Sequence, residues 1–308
     1  MSEPRKVSPV EIIKENSNYL RVPIDAELES DQHFSKEAES LLKFHGTYQQ
    51  DDRDAREQAR REGSGGKDDK KFIFMVRTKI PGGKLTSDQL LAELDLCEEV
   101  GNTTLRCTTR QGLQLHGVVK RNLKRAIARI NEVQLSTLGA CGDVNRNVMC
   151  CPAPYSSRVY RQTQELAAQI AAHLAPRTSA YHDLWLTDLD TGAKHLAGGA
   201  ADDAEVEPIY GKWYMPRKFK IAIGYPFDNC VDLYTNDLGL MALTRGDEIV
   251  GYNVIVGGGL GVTPSAKKTF PALGVKMAFV SPEEALEVVT AVVKVQRDYG
   301  NREDRKLA

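Results

Sequence analysis

Four segments of the chain carry basic side chains where simple packing would favour apolar ones. Two of them read RCTTRQGLQLHGVV and GACGDVNRNVMCCP, with the composition of strands and of a glycine-rich loop. Guanidinium, ammonium and imidazole groups gathered in this way are typical of a site for a ligand with several negative charges. The side chains concerned are Arg77; Arg106, Arg110 and His116; Arg146; and Arg217, Lys218 and Lys220.

The spacing within the second segment predicts a shared face. Arg106, Arg110 and His116 are four and six residues apart, so on a continuous extended chain their side chains would point the same way. A turn near Gln111 would break this register, and the segment alone fits an exposed polar face equally well. In the first interpretation three leucines fill the opposite, core face: Leu105, Leu113 and Leu115.

The stretch from Gly139 to Pro154 is predicted to be an active-site loop rather than a connector. Its glycines and asparagines leave the backbone free to approach a ligand. Arg146 lies within it, although a lone loop arginine is usually solvated. Cys150 and Cys151 are adjacent in sequence and too close to ligate one cluster iron together, so we interpret them as packing residues.

Lys218 and Lys220 alternate along a predicted strand. Phe219 and Ile221 point toward the core in this interpretation, so both ammonium groups emerge on one side. Two like charges this close are unfavourable unless an anion lies between them. The alternative is a solvated sheet edge on which lysines discourage aggregation.

Composition narrows the class of protein. A length of 308 residues fits about two domains, and a hydrophobic content of 41% fits a core in each. No apolar run suits a membrane span or a secretory signal, so we expect a cytoplasmic protein without membrane contact. The net charge of -1 provides no global field for nucleic acid, and the six cysteines, without a CxxC pair, suit reduced thiols.

Three regions are predicted. Residues 1–70 form an arm with short helices, and residues 71–138 follow the order β-α-β-β-α of a ferredoxin-like half-domain. The first helix of that half-domain is capped by Thr86 or Ser87 and has an apolar face at Leu90, Leu91, Leu94 and Cys97. Residues 139–308 form an α/β domain with a helix near 162–175, strands around 184, 220–225, 231–234 and 249–256, and a helix at 282–299.

The run VIVGGGLG, from Val254 to Gly261, invites interpretation as a dinucleotide-binding loop. A GxGxxG pattern counted from Gly257 needs glycine at its sixth position and finds Val262. A nucleotide-binding oxidoreductase is therefore disfavoured. We predict instead a tight turn that lets the backbone approach a ligand or a neighbouring strand.

Eight motifs in order resemble the N-terminal portion of the sirohaem-dependent sulfite and nitrite reductases. They include FHGTYQQDDRD, TTRQGLQLHG, GDVNRN, PRKFK, DNCVDLYTNDLGL and VVKVQRDYGNREDRK, and they cover most of the chain. The resemblance implies an α+β fold in which a ferredoxin-like half-domain precedes an α/β sirohaem-binding domain. It implies a substrate-anion pocket of Arg77, Arg146, Lys218 and Lys220. It implies sirohaem contacts from Arg106, Arg110, Gln111, His116, Asn147 and Arg217.

Full-length members of that family continue into a domain with CxxxxxC and CxxxC motifs. Its four thiolates hold a 4Fe-4S cluster, and one of them bridges to the sirohaem iron. This sequence contains no such pattern. We therefore expect an N-terminal half truncated before the iron-sulfur domain, with no metal ligands of its own and no activity as an isolated chain.

The implied function is assimilatory reduction of sulfite to sulfide, with electrons from ferredoxin or a flavoprotein reductase. Lys220 favours sulfite over nitrite, because a second positive charge suits a dianion and nitrite-specific members tend to have a neutral residue there. Nitrite reduction stays open as an alternative, as does a non-catalytic anion- or RNA-binding module. Against RNA binding, Phe72 and Phe74 lack an RNP-like partner element.

Overall fold

The computed structural model describes residues 7–30, 32–63, 70–178, 180, 184–187, 194–198, 207–262, 264 and 268–308. Three short helices come first: α1 (Pro9–Glu15), α2 (Ile24–Leu28) and α3 (Lys36–Leu42). Helix α3 begins where the Ser35 side chain accepts a hydrogen bond from the backbone N–H of Ala38. No helix in these ranges is long and apolar enough to cross a membrane.

The first sheet has four antiparallel strands in the order β1-β2-β4-β3. Its core joins Phe74, Val76 and Leu115 from the strands to apolar side chains of helices. The elements are β1 (Thr47–Asp51), α4 (Arg53–Arg61), β2 (Phe72–Thr78), α5 (Ser87–Glu99), β3 (Leu105–Cys107), β4 (Leu113–Val118) and α6 (Leu123–Glu132). Strand β1 lies within the predicted arm, so a boundary at residue 70 separates it from its partner β2.

Helix α5 begins as predicted but turns a different face to the core. Thr86 is its N-cap, in a capping box with Gln89. The predicted face is wrong, because Leu90, Leu91 and Leu94 are 41%, 56% and 43% exposed. The residues that α5 buries are Ala92, Glu93, Leu96 and Cys97. Apolar residues occur on both sides of this helix, so their periodicity alone does not identify the buried side.

The second sheet has the order β10-β9-β8-β7, with β7 and β8 parallel and the other pairs antiparallel. Helix α7 packs on β7 and β9, and α8 packs on α7. The elements are α7 (Arg158–His173), β5 (Leu184–Thr187), β6 (Lys194–Gly198), β7 (Ile221–Gly224), β8 (Leu238–Arg245), β9 (Glu248–Val256), β10 (Val275–Val280) and α8 (Ala285–Tyr299). Strands β5 and β6 form a separate pair.

One strand predicted in this region is wrong. Residues 231–234 do not form a strand but lead into a 3-10 helix at Leu233–Thr235. Asp232 has φ +51° and ψ +60°, a left-handed conformation that interrupts extended chain. Strands β8 and β10, in contrast, are present without having been predicted.

The glycine run after β9 forms the tight turn that its sequence predicts. Gly257 has φ +83°, which favours glycine. A Cβ on Gly258 would lie 2.1 Å from the Tyr234 carbonyl oxygen, so only glycine fits this close approach of two backbone segments. The turn thus packs on protein rather than opening a phosphate cradle.

Lys79, just after β2, lies in an unusual place for a lysine. Its side chain is only 7% exposed, and its ammonium group donates to the Ala171 carbonyl oxygen at 3.3 Å. Burial lowers the pKa of Lys79 to about 8. The protonated form is therefore costly to bury, and the cost disappears when the proton leaves.

We expect Lys79→Met to raise the free energy of unfolding at neutral pH by up to ~3 kcal/mol, the equivalent of lowering a pKa from 10.5 to about 8. The folded-state pKa lies below the unfolded value. The penalty is thus complete below about pH 8 and vanishes as pH rises through 8 toward 10.5. Urea unfolding at about pH 7 and about pH 10 should show a gain that shrinks at the higher pH.

The exposed Lys84 provides the control. Lys84→Met removes a lysine that is already solvated and should change stability little at either pH. An equal gain from Lys79→Met at both pH values would attribute the effect to methionine packing and not to a buried charge.

Candidate anion-binding site

A row of polar side chains crosses the first sheet. Arg77 on β2 lies opposite Gln114 on β4, and Gln114 lies opposite Arg106 on β3. Directly paired residues of antiparallel strands share a face, and His116, two residues beyond Gln114, shares it too. The strands therefore bring together two of the predicted arginines and the predicted histidine.

Gln114 connects the members of this row. With its amide oxygen turned toward Arg77, that oxygen lies 2.9 Å from Nε of Arg77 and the amide nitrogen lies 3.3 Å from Nε2 of His116. Burial lowers the pKa of His116, and the charges of Arg106 and Arg77 lower it further. The imidazole is therefore neutral at neutral pH and can accept the amide hydrogen.

Arg77 also contacts the loop that contains Arg146. Its guanidinium donates to the Cys141 sulfur at 2.7 Å and lies over the Tyr48 ring, 5.7 Å from the centroid. Burial raises the pKa of Tyr48 to about 12, with a further contribution from Cys141. Tyr48 thus supplies an aromatic wall with a protonated hydroxyl, on a strand that the sequence analysis assigned to the arm.

Arg146 is positioned by main-chain oxygens of its own loop. Its Nε donates to the Gly142 carbonyl at 2.8 Å and its Nη1 to the Ala140 carbonyl at 3.3 Å. Its backbone N–H donates to the Phe219 carbonyl at 2.8 Å. Within the described residues, Nη2 has no hydrogen-bond partner, so one edge of this half-buried guanidinium remains free for a ligand.

Arg110 does not share an extended strand with Arg106 and His116. A turn in which Gln111 has φ +54° breaks the register, so the predicted common face of the three residues is wrong. The Arg110 guanidinium instead donates to the Asn147 carbonyl at 3.0 Å and the Ile221 carbonyl at 3.2 Å, and also to the Asn236 side chain. Burial lowers the pKa of Arg110 to about 10.

Several buried polar atoms around the loop lack a partner in the described structure. Gln111 donates to the Cys150 carbonyl at 2.6 Å, and Asn147 donates to the Ile80 carbonyl at 2.6 Å, but the amide oxygen of each is unsatisfied. Both side-chain polar atoms of Asn145 are unsatisfied as well. Buried polar groups are normally paired with protein, water or a ligand, so these atoms leave hydrogen-bonding capacity for water or a ligand.

Lys218 and Lys220 lie near enough to Arg146 for its charge to act on both. The pKa of each lysine is lowered, first by burial. The positive charges of Lys220, Arg146 and Arg217 lower the pKa of Lys218 further. For Lys220, the nearby Asp237 opposes the lowering of the pKa, whereas the neighbouring arginines reinforce it. Like charges that lower one another's pKa lie close together and attract an anion.

These cations are left without carboxylate partners. Among the ion pairs of the described residues, none involves Arg77, Arg106, Arg110, Arg146, Arg217, Lys218 or Lys220. Asp237 accepts the Lys220 backbone N–H at 2.8 Å, and burial raises the pKa of this carboxyl group. Excess positive charge beside orphaned polar atoms suits a ligand with several negative charges.

A buried network of ion pairs also holds the loop that contains Arg146. Asp143 accepts from Arg305 at 2.7 Å and lies 3.5 Å from the Lys14 ammonium group. Lys14 donates to Glu11 at 2.6 Å, and Glu11 pairs with Arg302. Burial lowers the pKa of Lys14, while Asp143 and Glu11 oppose the shift. Both ends of the described chain are thereby tied to the loop of Arg146.

Three residues of the site were missed by sequence reasoning: Tyr48, Gln114 and Asn145. Gln114 could have been found, since it alternates with His116 along one strand. Asn145 stands next to Arg146 in a motif that drew attention for its arginine. Tyr48 gives no such signal, because only the pairing of β1 with β2 brings it beside Arg77.

Two family models match this chain. One, described as the nitrite and sulphite reductase 4Fe-4S domain, matches residues 141–308. The other, described as the nitrite/sulfite reductase ferredoxin-like half domain, matches residues 66–133. The second match confirms the predicted ferredoxin-like half-domain.

Curated relatives extend the likeness over nearly the whole chain. The sulfite reductase (NADPH) hemoprotein beta-component of Staphylococcus epidermidis is 43% identical over 306 residues, which are 99% of this chain and 51% of that protein. The protein of the same name from Myxococcus xanthus is 46% identical over 308 residues, which are 99% of this chain and 52% of that protein. The chain spans about half the length of these relatives.

Solved structures support the fold. The Mycobacterium tuberculosis NirA protein superposes with a TM-score of 0.71 at 24% identity, over 99% of this chain and 49% of that chain. Dissimilatory sulfite reductase I gives 0.50 at 11% identity, over 76% of this chain and 65% of that chain. With a family model covering more than half of its residues and a second covering three of the four strands of its first sheet, the chain belongs to the nitrite and sulphite reductase family.

Proposed function

We propose that these residues form the sirohaem and substrate-anion site of a reductase that converts sulfite to sulfide. The observation that carries the proposal is the grouping of Arg77, Lys218 and Lys220 around Arg146, none of them in an ion pair with a carboxylate of the described residues. The names of the relatives at 43% and 46% identity support sulfite as the substrate. The free Nη2 edge of Arg146 suits an oxyanion, because a guanidinium binds such oxygens in a planar fork.

Sirohaem, when bound together with a 4Fe-4S cluster, supplies the electrons for this reduction. The chain's own contribution is position and charge. Arg106, Arg217 and the arginine-glutamine-histidine row offer donors for carboxylates of the macrocycle. The unsatisfied side-chain oxygens of Gln111 and Asn147 can accept hydrogen bonds from the macrocycle or from water. Arg110, next to Gln111 in the chain, donates to the Asn147 carbonyl and so holds the two segments together. We propose that the cluster ligands lie outside these 308 residues.

Protons must reach the anion as electrons arrive. Lys218 and Lys220 suit this task, because burial and neighbouring cations lower their pKa and make each ammonium group a better acid than a free lysine. Lys220 also has a nearby carbonyl, that of Thr235 at 3.4 Å, which restrains its ammonium group without neutralising it. A site with two such lysines stabilises the charge of a dianion as well as protonating it.

The electron donor is proposed to be a flavoprotein reductase rather than ferredoxin. The names of the relatives include NADPH, whose hydride a flavin can accept and pass on as single electrons. A cytoplasmic location stays a prediction. It agrees with six cysteines that are all free thiols.

We expect residues 1–308 alone, produced in a host that makes sirohaem, to lack sulfite reduction, because this sequence has no four-cysteine cluster pattern. Adding the cluster-bearing half of a matching relative should restore some activity. Sulfide production driven by reduced methyl viologen measures both cases. Turnover by the isolated chain at the level of the completed enzyme would contradict the proposed division of the site.

In a completed enzyme, Arg146→Ala should lower kcat/KM for sulfite by roughly ten- to a hundredfold, the equivalent of about 1.5–3 kcal/mol for one charge-assisted contact. The backbone hydrogen bond of Arg146 to Phe219 survives the change. Turnover per bound sirohaem and the melting temperature should be measured together.

Arg245→Ala is the matched control, since Arg245 is exposed at the end of β8. It should leave both quantities unchanged. If Arg146→Ala lowered the melting temperature but not turnover per sirohaem, the arginine would have a structural role only.

Lys220→Asn should lower the ratio of kcat/KM for sulfite to kcat/KM for nitrite. The change removes one positive charge near a dianion and keeps a polar group, so sulfite should lose more stabilisation than nitrite. A tenfold fall in the ratio corresponds to ~1.4 kcal/mol.

Lys276→Asn removes the same charge from the exposed strand β10 and should not alter the ratio. Equal losses for both anions with Lys220→Asn would show that Lys220 serves general electrostatics, and the preference for sulfite over nitrite would then lose its support in this residue.

A further inference from the structure

Cys151, Asp228 and Cys230 form a cluster of metal-binding groups outside the anion site. Their ligand atoms, two sulfurs and one carboxylate oxygen, all lie within 4.8 Å of one another. Cys151 lies near the end of the loop that contains Arg146, and the other two residues lie in the turn after β7. The fold therefore brings together residues that are distant in sequence. If Cys151 served only for packing, as the sequence suggested, this grouping with a second thiol and a carboxylate would not be needed.

The cluster opens onto a cavity. A space of about 500 Å³ lies against it, walled by Tyr155, Tyr160 and Phe227. Cys151 is buried, Asp228 is half-buried and Cys230 is exposed, so the three candidate ligands extend from the protein interior to the solvent-exposed surface. A cation could enter from the cavity side and keep one coordination position facing it.

The carboxylate is held in place before any ion arrives. Tyr160 donates its hydroxyl to Oδ2 of Asp228 at 3.1 Å, and the backbone N–H of Cys230 donates to Oδ1 at 3.2 Å. The Asp228 carbonyl in turn accepts the Tyr225 N–H at 3.0 Å, which closes the turn. Hydrogen bonds of this kind orient ligating carboxylates in metal sites.

Stacked aromatic rings stiffen the surroundings. The centroids of Tyr155 and Tyr160 are 4.5 Å apart, those of Tyr160 and Tyr225 are 4.8 Å apart, and those of Tyr225 and Phe227 are 5.0 Å apart. This layer fixes the turn of Asp228 and Cys230 against the start of α7. A site on rigid supports loses less entropy on binding than one on a mobile loop.

We propose that Cys151, Cys230 and Asp228 bind one thiophilic divalent cation of the Zn²⁺ class. Two sulfur ligands disfavour Mg²⁺ and Ca²⁺, which take oxygen ligands, and two cysteines are too few for a 4Fe-4S cluster. Three protein ligands leave the fourth tetrahedral position open to the cavity. Each sulfur exchanges its hydrogen for a bond to the metal, and both protons pass to solvent.

Bound metal would tie two segments that also serve the anion site. The Cys150 carbonyl, next to Cys151, accepts the Gln111 amide at 2.6 Å. The other segment, around Cys230, follows the strand whose Ile221 carbonyl accepts Arg110 at 3.2 Å. We expect the ion to stabilise the folded chain by an amount that rises with the logarithm of its free concentration above the dissociation constant. This inference does not depend on the proposed substrate.

Cobalt(II) titration of the reduced 308-residue chain without sirohaem provides the test, because thiolate ligands give a sulfur-to-cobalt charge-transfer band and tetrahedral geometry gives intense visible bands. We expect one cobalt per chain with both features, displaced by Zn²⁺. Cys230→Ser should abolish the charge-transfer band or halve it. Because Cys230 is exposed, this variant should fold, as circular dichroism can check.

Asp228→Asn should weaken cobalt binding by roughly ten- to a hundredfold, the usual effect of altering a ligand or its support. Cys107→Ser removes the other exposed thiol, on β3 and outside the cluster, and should change nothing. The proposal is overturned if the reduced wild-type chain shows no thiolate band. It is equally overturned if the band is unaffected by Cys230→Ser or is lost with Cys107→Ser.

Discussion

Main-chain carbonyl oxygens, not carboxylates, hold several cations of the candidate anion site in place. Arg146 is fixed by the carbonyls of Gly142 and Ala140, and Lys220 lies within reach of that of Thr235. Arg217 donates to the carbonyl of Arg305 at 3.1 Å. A carbonyl orients a guanidinium or ammonium group without cancelling its charge. The site therefore keeps its positive potential for a ligand, and mutual repulsion among the cations is the cost of that potential.

The carboxylates of the region are engaged elsewhere. Glu11 and Asp143 pair with Lys14, Arg302 and Arg305 in a buried network beneath the loop. Removing one partner from such a network leaves an uncompensated buried charge, which is strongly destabilising. Glu11 and Asp143 are thus neutralised by Lys14, Arg302 and Arg305 and leave the charge of Arg146 uncompensated. The same network explains why helix α1 and the segment after α8, far apart in sequence, both belong to the architecture of the site.

The sequence predicts the elements with strong local signals and misses those defined by tertiary contacts. The capping residues of α5 and the glycine turn after β9 follow from residue type alone. Strand β10 has five exposed residues out of six, so no alternation of burial marks it. The turn at Asp232 depends on a positive φ that an alternating pattern does not reveal. For the site, the cation list is recoverable from sequence, whereas the row through Gln114 requires the strand register.

One segment connects the candidate anion site with the cluster of Cys151, Asp228 and Cys230. Asn145 and Met149 form parallel bridges to Phe219 and Ala222, so residues 145–149 run alongside β7 and extend the second sheet at its edge. The Asn147 carbonyl accepts the Arg110 guanidinium at 3.0 Å, and the Met149 carbonyl accepts the Ile223 N–H at 2.7 Å. Because extended chain next to a strand has little freedom, these backbone hydrogen bonds fix the position of Arg146 and restrict that of Cys151, two residues after the last bridge. The positions of an arginine of the candidate anion site and of a buried thiol thus depend on one sheet edge, and a distortion of that edge would affect both.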